Sequence, residues 1–188
     1  MTSILEEPAV RRVAYPLSVE FYHQAGELGL LGEDVELLEG TLVHKMPKSP
    51  LHESVARRLF RILDGALPSG LCVLREGPLT CARSEPEPDL AVVRGTEADF
   101  WKNHPTSAEL LIEVAVSTLE LDRRKAPIYA AAGVKEYWIV IPEERRIEVH
   151  RQPQGEAYLE THSADAPACL QSAAVPGFSV DLSQLFQF

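Results

Sequence analysis

Glu109-Leu-Leu-Ile-Glu-Val-Ala-Val116 decides how this chain is read. As a strand it is apolar on both faces, the pattern of a strand buried inside a layered α/β domain. Glu113 breaks that run. A lone carboxylate inside a core is costly, so it must be neutral, paired or bound to a cation. A second acid, Asp89, opens another apolar run, Asp89-Leu-Ala-Val-Val93, and Lys125 follows the first strand on a predicted helix. Two acids on neighbouring buried strands with a lysine nearby are the ingredients of a divalent-metal phosphodiesterase site.

Working outward, residues 17–30 have helical character with Ser18 as N-cap, and 35–45 read as a hairpin around Glu39-Gly40. Residues 51–64 form an amphipathic helix, with Val55, Leu59, Ile62 and Leu63 on one side and arginines on the other. A strand is expected near 71–74. Ser84-Glu-Pro-Glu-Pro-Asp89 is an extended approach to the next strand, because each proline biases its predecessor away from helix. A short helix is expected around 99–102. After the Glu113 strand, Thr118 or Asp122 caps a helix that stops at Gly133, with Pro127 marking a kink or a late start. Residues 135–141 are a strand, and 146–150 and 156–160 alternate like an antiparallel pair. The tail from 170 adds a short strand and a terminal helical turn. The expected fold is α/β (α+β), a mixed β-sheet flanked by helices. Residues 1–14 are expected to be an N-terminal extension, and 15–188 a single domain.

The chain has 188 residues, enough for one substantial core. No apolar stretch reaches the length of a membrane span, and the N-terminus lacks the basic and apolar regions of a signal peptide, so no membrane association and a cytoplasmic location are expected. Cys72, Cys81 and Cys169 are scattered and read as free buried thiols. A formal charge of −10 argues against an open, nonspecific nucleic-acid surface but leaves room for local basic clusters. Three exist: Arg57-Arg58 with Arg61, Arg123-Arg124-Lys125, and Arg145-Arg146. Their simplest reading is solvated faces.

Mg²⁺ or Mn²⁺ takes hard oxygen ligands, so Asp89, Glu113 and the backbone carbonyl of Val114 are the candidate metal ligands. Lys125 is the candidate for steadying the attacking hydroxide or the developing negative charge. Asp122 and Tyr129 share its helix face. Structural readings stand beside these. Asp89 caps a turn, Glu113 pairs with a core-facing arginine such as Arg75 or Arg83, Lys125 is solvated, and Tyr129, Tyr137 and Trp138 are core aromatics.

The ordered set Pro88-Asp89, Glu113-Val114, Ser117, Asp122, Lys125, Tyr129, Gly133-Val134 and Glu136-Tyr-Trp-Ile-Val140 resembles the Uma-two family of putative restriction endonucleases. Glu39-Gly40 and His52 look like its N-terminal landmarks. The resemblance runs from about Tyr15 to the C-terminus. It implies the restriction-endonuclease-like fold of the PD-(D/E)XK superfamily, with Asp89 and Glu113 as the metal-binding acids. The motif lysine would stand two residues after Glu113, where this chain has Ala115; Lys125 matches the lysine that the family carries on the next helix. Ile141 departs from the Asp found in many relatives, with structural consequences only. The resemblance further implies a Mg²⁺ (or Mn²⁺) cofactor and a DNA substrate. Asp122, His52 and Glu39 are secondary site candidates. A homodimer is expected, since cutting a duplex often needs two active sites. The alternative is a noncatalytic binding or assembly module on a nuclease fold, favoured by the missing strand lysine and the acidic surface.

Overall fold

The computed structural model describes residues 7–188. Residues 1–6, on which the reading of the N-terminus as leaderless partly rests, lie outside the described residues; helix α1 (Pro8–Arg11) falls within the segment expected as an extension. Helix α2 (Val19–Glu27) starts where Ser18 Oγ accepts the Phe21 N–H at 3.1 Å. The hairpin β1 (Val35–Leu38) and β2 (Thr41–His44) follows. Its turn needs positive φ at both central residues, 48° at Glu39 and 78° at Gly40. A side chain at Gly40 would meet Pro16 Cβ at 2.5 Å, so only glycine fits.

Helix α3 (Pro50–Ala66) opens with Ser49 capping the His52 N–H at 3.2 Å and buries His52, Val55, Ala56, Leu59 and Leu63. That stripe, at helical spacing, is what docks it on the sheet. Strands β3 (Leu71–Arg75), β4 (Leu90–Arg94), β5 (Leu110–Val114), β6 (Glu136–Ile141), β7 (Arg146–Gln154) and β8 (Ala157–Asp165) form one sheet in that order. Only β5 and β6 run parallel. Helix α4 (Leu119–Ala131) makes the crossover between them. The mixed sheet between helices agrees with the expected fold class and element order.

Side-chain alternation divides the core into two layers. Leu110, Ile112 and Val114 of β5 join α3, Trp138 and Val140; Leu111 and Ala115 join Tyr129, Tyr137 and Ile139. Glu113 shares the parity of Leu111, so it points to the α4 side. Ile141 is buried in this second layer.

Some expectations need correction. The helix α4 runs through Pro127 rather than starting late, because residues on both sides of it (Asp122, Lys125, Tyr129, Ala130) are buried and hold it. Thr118 is its N-cap residue, and Asp122 sits in the first turn. The short helix near 99–102 is a 3-10 turn at Glu97–Phe100, capped by Thr96. Strands β7 and β8 are nine residues each, longer than the runs expected at 146–150 and 156–160, because pairing continues through Pro153 opposite Tyr158. Beyond them β9 (Cys169–Gln171) pairs with β10 (Ser179–Asp181), and α5 (Leu182–Leu185) closes the chain. The cysteines are free, but Cys169 is exposed and the other two are only partly buried.

Glu136 is a fully buried carboxylate outside the candidate site. It accepts from Trp138 Nε1 (2.9 Å), Arg151 Nε (2.8 Å), Ser172 Oγ (2.6 Å) and the N–H groups of Ala173 and Ala174 (2.9 and 3.0 Å). Burial pushes its pKa up, but these donors, Ser172 first, hold it below the ordinary value. It therefore ties β6 to β7 and to the loop after β9. Glu136→Ala strands those donors and the Arg151 charge. It should cost about 3–5 kcal/mol, read as a lower urea midpoint, with no involvement of divalent ions.

Candidate metal and phosphodiester site

A cavity of about 220 Å³ opens where the start of β4 and the end of β5 meet the starts of α3 and α4. Asp89, just before β4, and Glu113, in β5, both line it. Asp89 Oδ2 accepts from the Val114 N–H at 2.8 Å and from His52 Nε2 at 3.0 Å. Its Oδ1 faces Lys48 Nζ at 3.0 Å. Glu113 Oε1 accepts from Lys125 Nζ (3.1 Å) and from Tyr129 OH (2.9 Å), while Oε2 takes only a long contact of 3.4 Å from the Asp89 N–H. Asp89 thus holds the backbone just after Glu113 and Glu113 reaches that of Asp89; Glu113 keeps one oxygen lightly committed, and the second oxygen of Asp89 is held by Lys48. Neither Arg75 nor Arg83 pairs with Glu113: Arg75 lies against Glu53 and Glu76, and Arg83 is exposed.

Pro88 explains why the acid sits where the ladder ends. Leu90 pairs with Ile112. Two more steps of that register set Pro88 opposite Val114, and proline has no N–H to give. The Val114 carbonyl therefore has no backbone donor across from it, and the Val114 N–H is taken by the Asp89 carboxylate.

Lys125 is almost fully buried and bridges Glu113 to Glu36 Oε1 at 3.2 Å. Asp122 lines the same cavity and accepts from Thr118 Oγ1 at 2.6 Å. Tyr129 is more than a core aromatic, since its hydroxyl holds Glu113 while its ring meets Tyr137 edge-on at 4.8 Å. His52 is buried, and its Nδ1 has no partner among the described residues. The structure brings Asp89, Glu113, Val114, Asp122, Lys125 and His52 together. It does not bring Glu39 there; Glu39 is exposed at the hairpin turn beside Cys81, Arg83 and Ser84.

Lys45, Glu76 and Glu87 at the cavity's rim escaped the sequence reading, as did two residues that pair directly with the named site groups. Glu36 and Lys48 both line the cavity. Glu36 lies on a four-residue strand whose burial on both faces has no periodic signature, and Lys48 lies in a loop. The Pro47 and Pro50 that flank Lys48 were the only local hint of a fixed loop.

Six acids (Glu36, Glu76, Glu87, Asp89, Glu113 and Asp122) line the cavity against three lysines (Lys45, Lys48 and Lys125). This excess of negative charge has titration consequences. Burial pushes Glu113 up to about 8, Lys125 opposes that, and Asp122, Asp89 and Glu36 reinforce it. Burial likewise raises Asp122 to about 6, against its bond from Thr118. Burial alone would lower Lys125, but Glu113, Glu36 and Asp122 hold its pKa above the ordinary value. Burial would also raise Asp89, yet His52, Lys48 and the Val114 N–H keep it below the usual range.

Among the described residues no group of three or more His, Cys, Asp or Glu is arranged to hold a metal ion by itself. Two carboxylates and a backbone carbonyl still fit Mg²⁺, which ordinarily takes one or two carboxylates and fills its remaining positions with water and phosphate. The uncompensated acids are the observation in favour of that fit.

The model of the Uma2 family, described as putative restriction endonuclease, matches residues 20–183. None of the curated proteins matches the chain. Among solved structures, the chain is similar to a putative nuclease belonging to DUF820 from Anabaena variabilis ATCC 29413. The TM-score is 0.74 at 17% identity, covering 91% of this chain and 98% of that one. At that identity the likeness speaks for the fold.

A carboxyl whose folded pKa is raised keeps a proton that the unfolded chain has already released. Ionising it in the fold therefore costs stability as pH rises from the ordinary value of 4.5 to about 8 for Glu113. In EDTA the urea midpoint should fall across that window, and Glu113→Gln should flatten the fall. Mg²⁺ or Mn²⁺ should raise Tm more at pH 8 than at pH 5.5, because cation and proton compete for the same oxygens. An equal rise at both pH values, or one retained by Glu113→Gln, would count against a cation at Glu113.

Proposed function

The chain belongs to the Uma2 family of putative restriction endonucleases, and on that premise we propose that it is a Mg²⁺- or Mn²⁺-dependent DNA endonuclease that hydrolyses phosphodiester bonds. Asp89, Glu113 and the Val114 carbonyl hold the ion in this reading, and Lys125 stabilises charge. The observation that carries it is the meeting of Asp89 and Glu113 at one cavity, beside a buried lysine, with Glu113 Oε2 lightly held and Asp89 Oδ1 held by the more exposed Lys48. A bound divalent ion would supply Lewis-acid polarisation of the phosphoryl group and a water of lowered pKa.

The chain's own groups divide the remaining work. The His52 and Val114 N–H donors keep Asp89 ionised and fix its rotamer. Lys125 and Tyr129 hold Glu113 Oε1 and so aim Oε2 toward Asp89. Lys125 stays protonated through the neutral range, so its part is electrostatic: it does not take a proton from water. Asp122 and Glu36 set the field around that ammonium. Lys48, half-exposed and paired with Asp89 Oδ1, can leave that oxygen when a phosphate enters. Two strands of a duplex would be cut by a homodimer, each copy bringing one such cavity.

A second reading, a noncatalytic binding module, is favoured by one observation. Ala115 stands at the strand position of the motif lysine, and Lys125 is matched by two carboxylates. Supercoiled plasmid with Mg²⁺ or Mn²⁺ separates the two. The wild type should nick it, Asp89→Ala and Glu113→Ala should abolish nicking, and Lys125→Ala should slow it about 10²–10³-fold. Equal residual cutting by wild type and variants would leave only the binding module.

A further inference from the structure

The three arginine clusters of this acidic chain are unevenly neutralised, and Arg124 and Arg145, in the two clusters beyond α3, are exposed with no ion pair among the described residues. Arg123 is claimed by Glu120 and Glu148, and Arg146 by Glu144 and Asp165, all at 2.8 Å or less. Arg94 and Arg151, elsewhere on the sheet, are similarly paired at 2.7 and 2.8 Å. Arg57 and Arg61 of α3, and Arg75 at the end of β3 beside them, are less closely paired. Arg57 reaches the Glu53 carboxylate only at 4.0 Å, and Arg75 reaches Glu53 and Glu76 only at 3.9 and 3.4 Å. Arg61 has no ion pair among the described residues. Arg58, between them, is turned away onto the carbonyls of Gln184, Leu185 and Gln187.

Arg57, Arg61 and Arg75 line a second, shallow groove of about 480 Å³ with Phe60 and Ser54. The Arg75 guanidinium lies over the Phe60 ring, 5.5 Å from its centre. Arg57 and Arg61 are one helical turn apart, about 6 Å along the axis, of the order of the step between neighbouring phosphates on one strand. The groove also adjoins the cavity described above. Arg75 lines one and Glu76 the other, and Glu76 and Asp89 share Lys48 at 3.2 and 3.0 Å.

We propose that this groove, Arg57, Arg61 and Arg75 with Phe60, is a backbone-binding site for the nucleic-acid strand flanking the phosphate held between Asp89 and Glu113. The inference rests on the nuclease reading and deepens it. Loosely paired guanidinium groups give up little on exchanging a distant carboxylate for a phosphate, and they meet phosphate oxygens two at a time. The ring offers Arg75 a fixed seat in the absence of substrate. An acidic protein thereby gains one local anion site without a generally basic surface. Contacts of this kind position the strand and read no sequence.

The test is fluorescence anisotropy of a labelled DNA duplex with Ca²⁺ in place of Mg²⁺, over a salt series, alongside plasmid nicking in Mg²⁺. Arg57→Ala/Arg61→Ala should weaken binding on the order of tenfold or more and flatten the log–log salt slope by roughly 0.9 for each phosphate that is no longer neutralised. It should raise KM for nicking and leave kcat largely unchanged. Lys102→Ala, a charge removed from neither lining, should do neither. All three arginines are exposed, so Tm should not move. A wild type that cuts at Asp89 and Glu113 while the double variant keeps its slope and KM overturns this inference alone. A wild type that neither binds nor cuts overturns it together with the nuclease reading.

Discussion

One carboxylate governs the organisation of this molecule. Glu113 projects from a strand whose neighbours are all buried, into the layer between sheet and α4, where an unpaired charge is not tolerated. Lys125 and Tyr129, one turn apart on α4, supply its partners. That requirement fixes the rotation of α4 about its own axis and its height above β5 and β6. It also accounts for a helix with a proline in its interior: the missing bond at Pro127 is outweighed by buried groups on both sides. Since α4 is the crossover between the one parallel pair among the described strands, the sheet's mixed topology and the site share one anchor.

The sequence carried this central unit well. Burial of the β5 run and the expense of a charge inside it are local facts, and they identify Glu113 without any tertiary knowledge. Asp89 and Lys125 follow from the strand and helix on either side. Elements with clean periodicity, α3 above all, came within two residues of their observed ends. What stayed hidden depends on distant contacts. Glu36 resembles any acid in a short hairpin strand until α4 brings Lys125 over it. Lys48 resembles any loop lysine until the Asp89 carboxylate arrives from a point 41 residues later (89 − 48 = 41). Glu39 misled in the opposite direction, because a Glu-Gly pair that serves a tight turn carries the same letters as a pair that serves a site. Strand ends at Gln154 and Asp165 were set by mutual pairing, which a single strand's pattern does not record.

Glu136 and Glu113 show how burial alone fails to distinguish structure from chemistry. Both are buried acids on adjacent parallel strands. Glu136 is surrounded by donors only, two of them backbone N–H groups and one an arginine, and its ionised form is held without need of anything further. Glu113 has an ammonium and a phenol on one oxygen, almost nothing on the other, and three further acids close enough to push its pKa up. The first arrangement is closed. The second is short of positive charge, and the shortage faces a cavity instead of solvent-exposed surface.

A fold can tolerate such a shortage only where the cost is spread. Here it is divided: Lys125 takes Glu113 and Glu36, Lys48 takes Asp89 and Glu76, Lys45 takes Glu87, and His52 braces Asp89 from the α3 side. The two deeper partners, Lys125 and His52, come from helices packed on opposite faces of the sheet, and so cannot withdraw without disturbing the core. Lys48 and Lys45 come from one loop and its edge and are freer to move. The site is therefore anchored in the core behind its acids and held by more exposed lysines in front of them, an asymmetry that suits the cation and phosphate proposed for it.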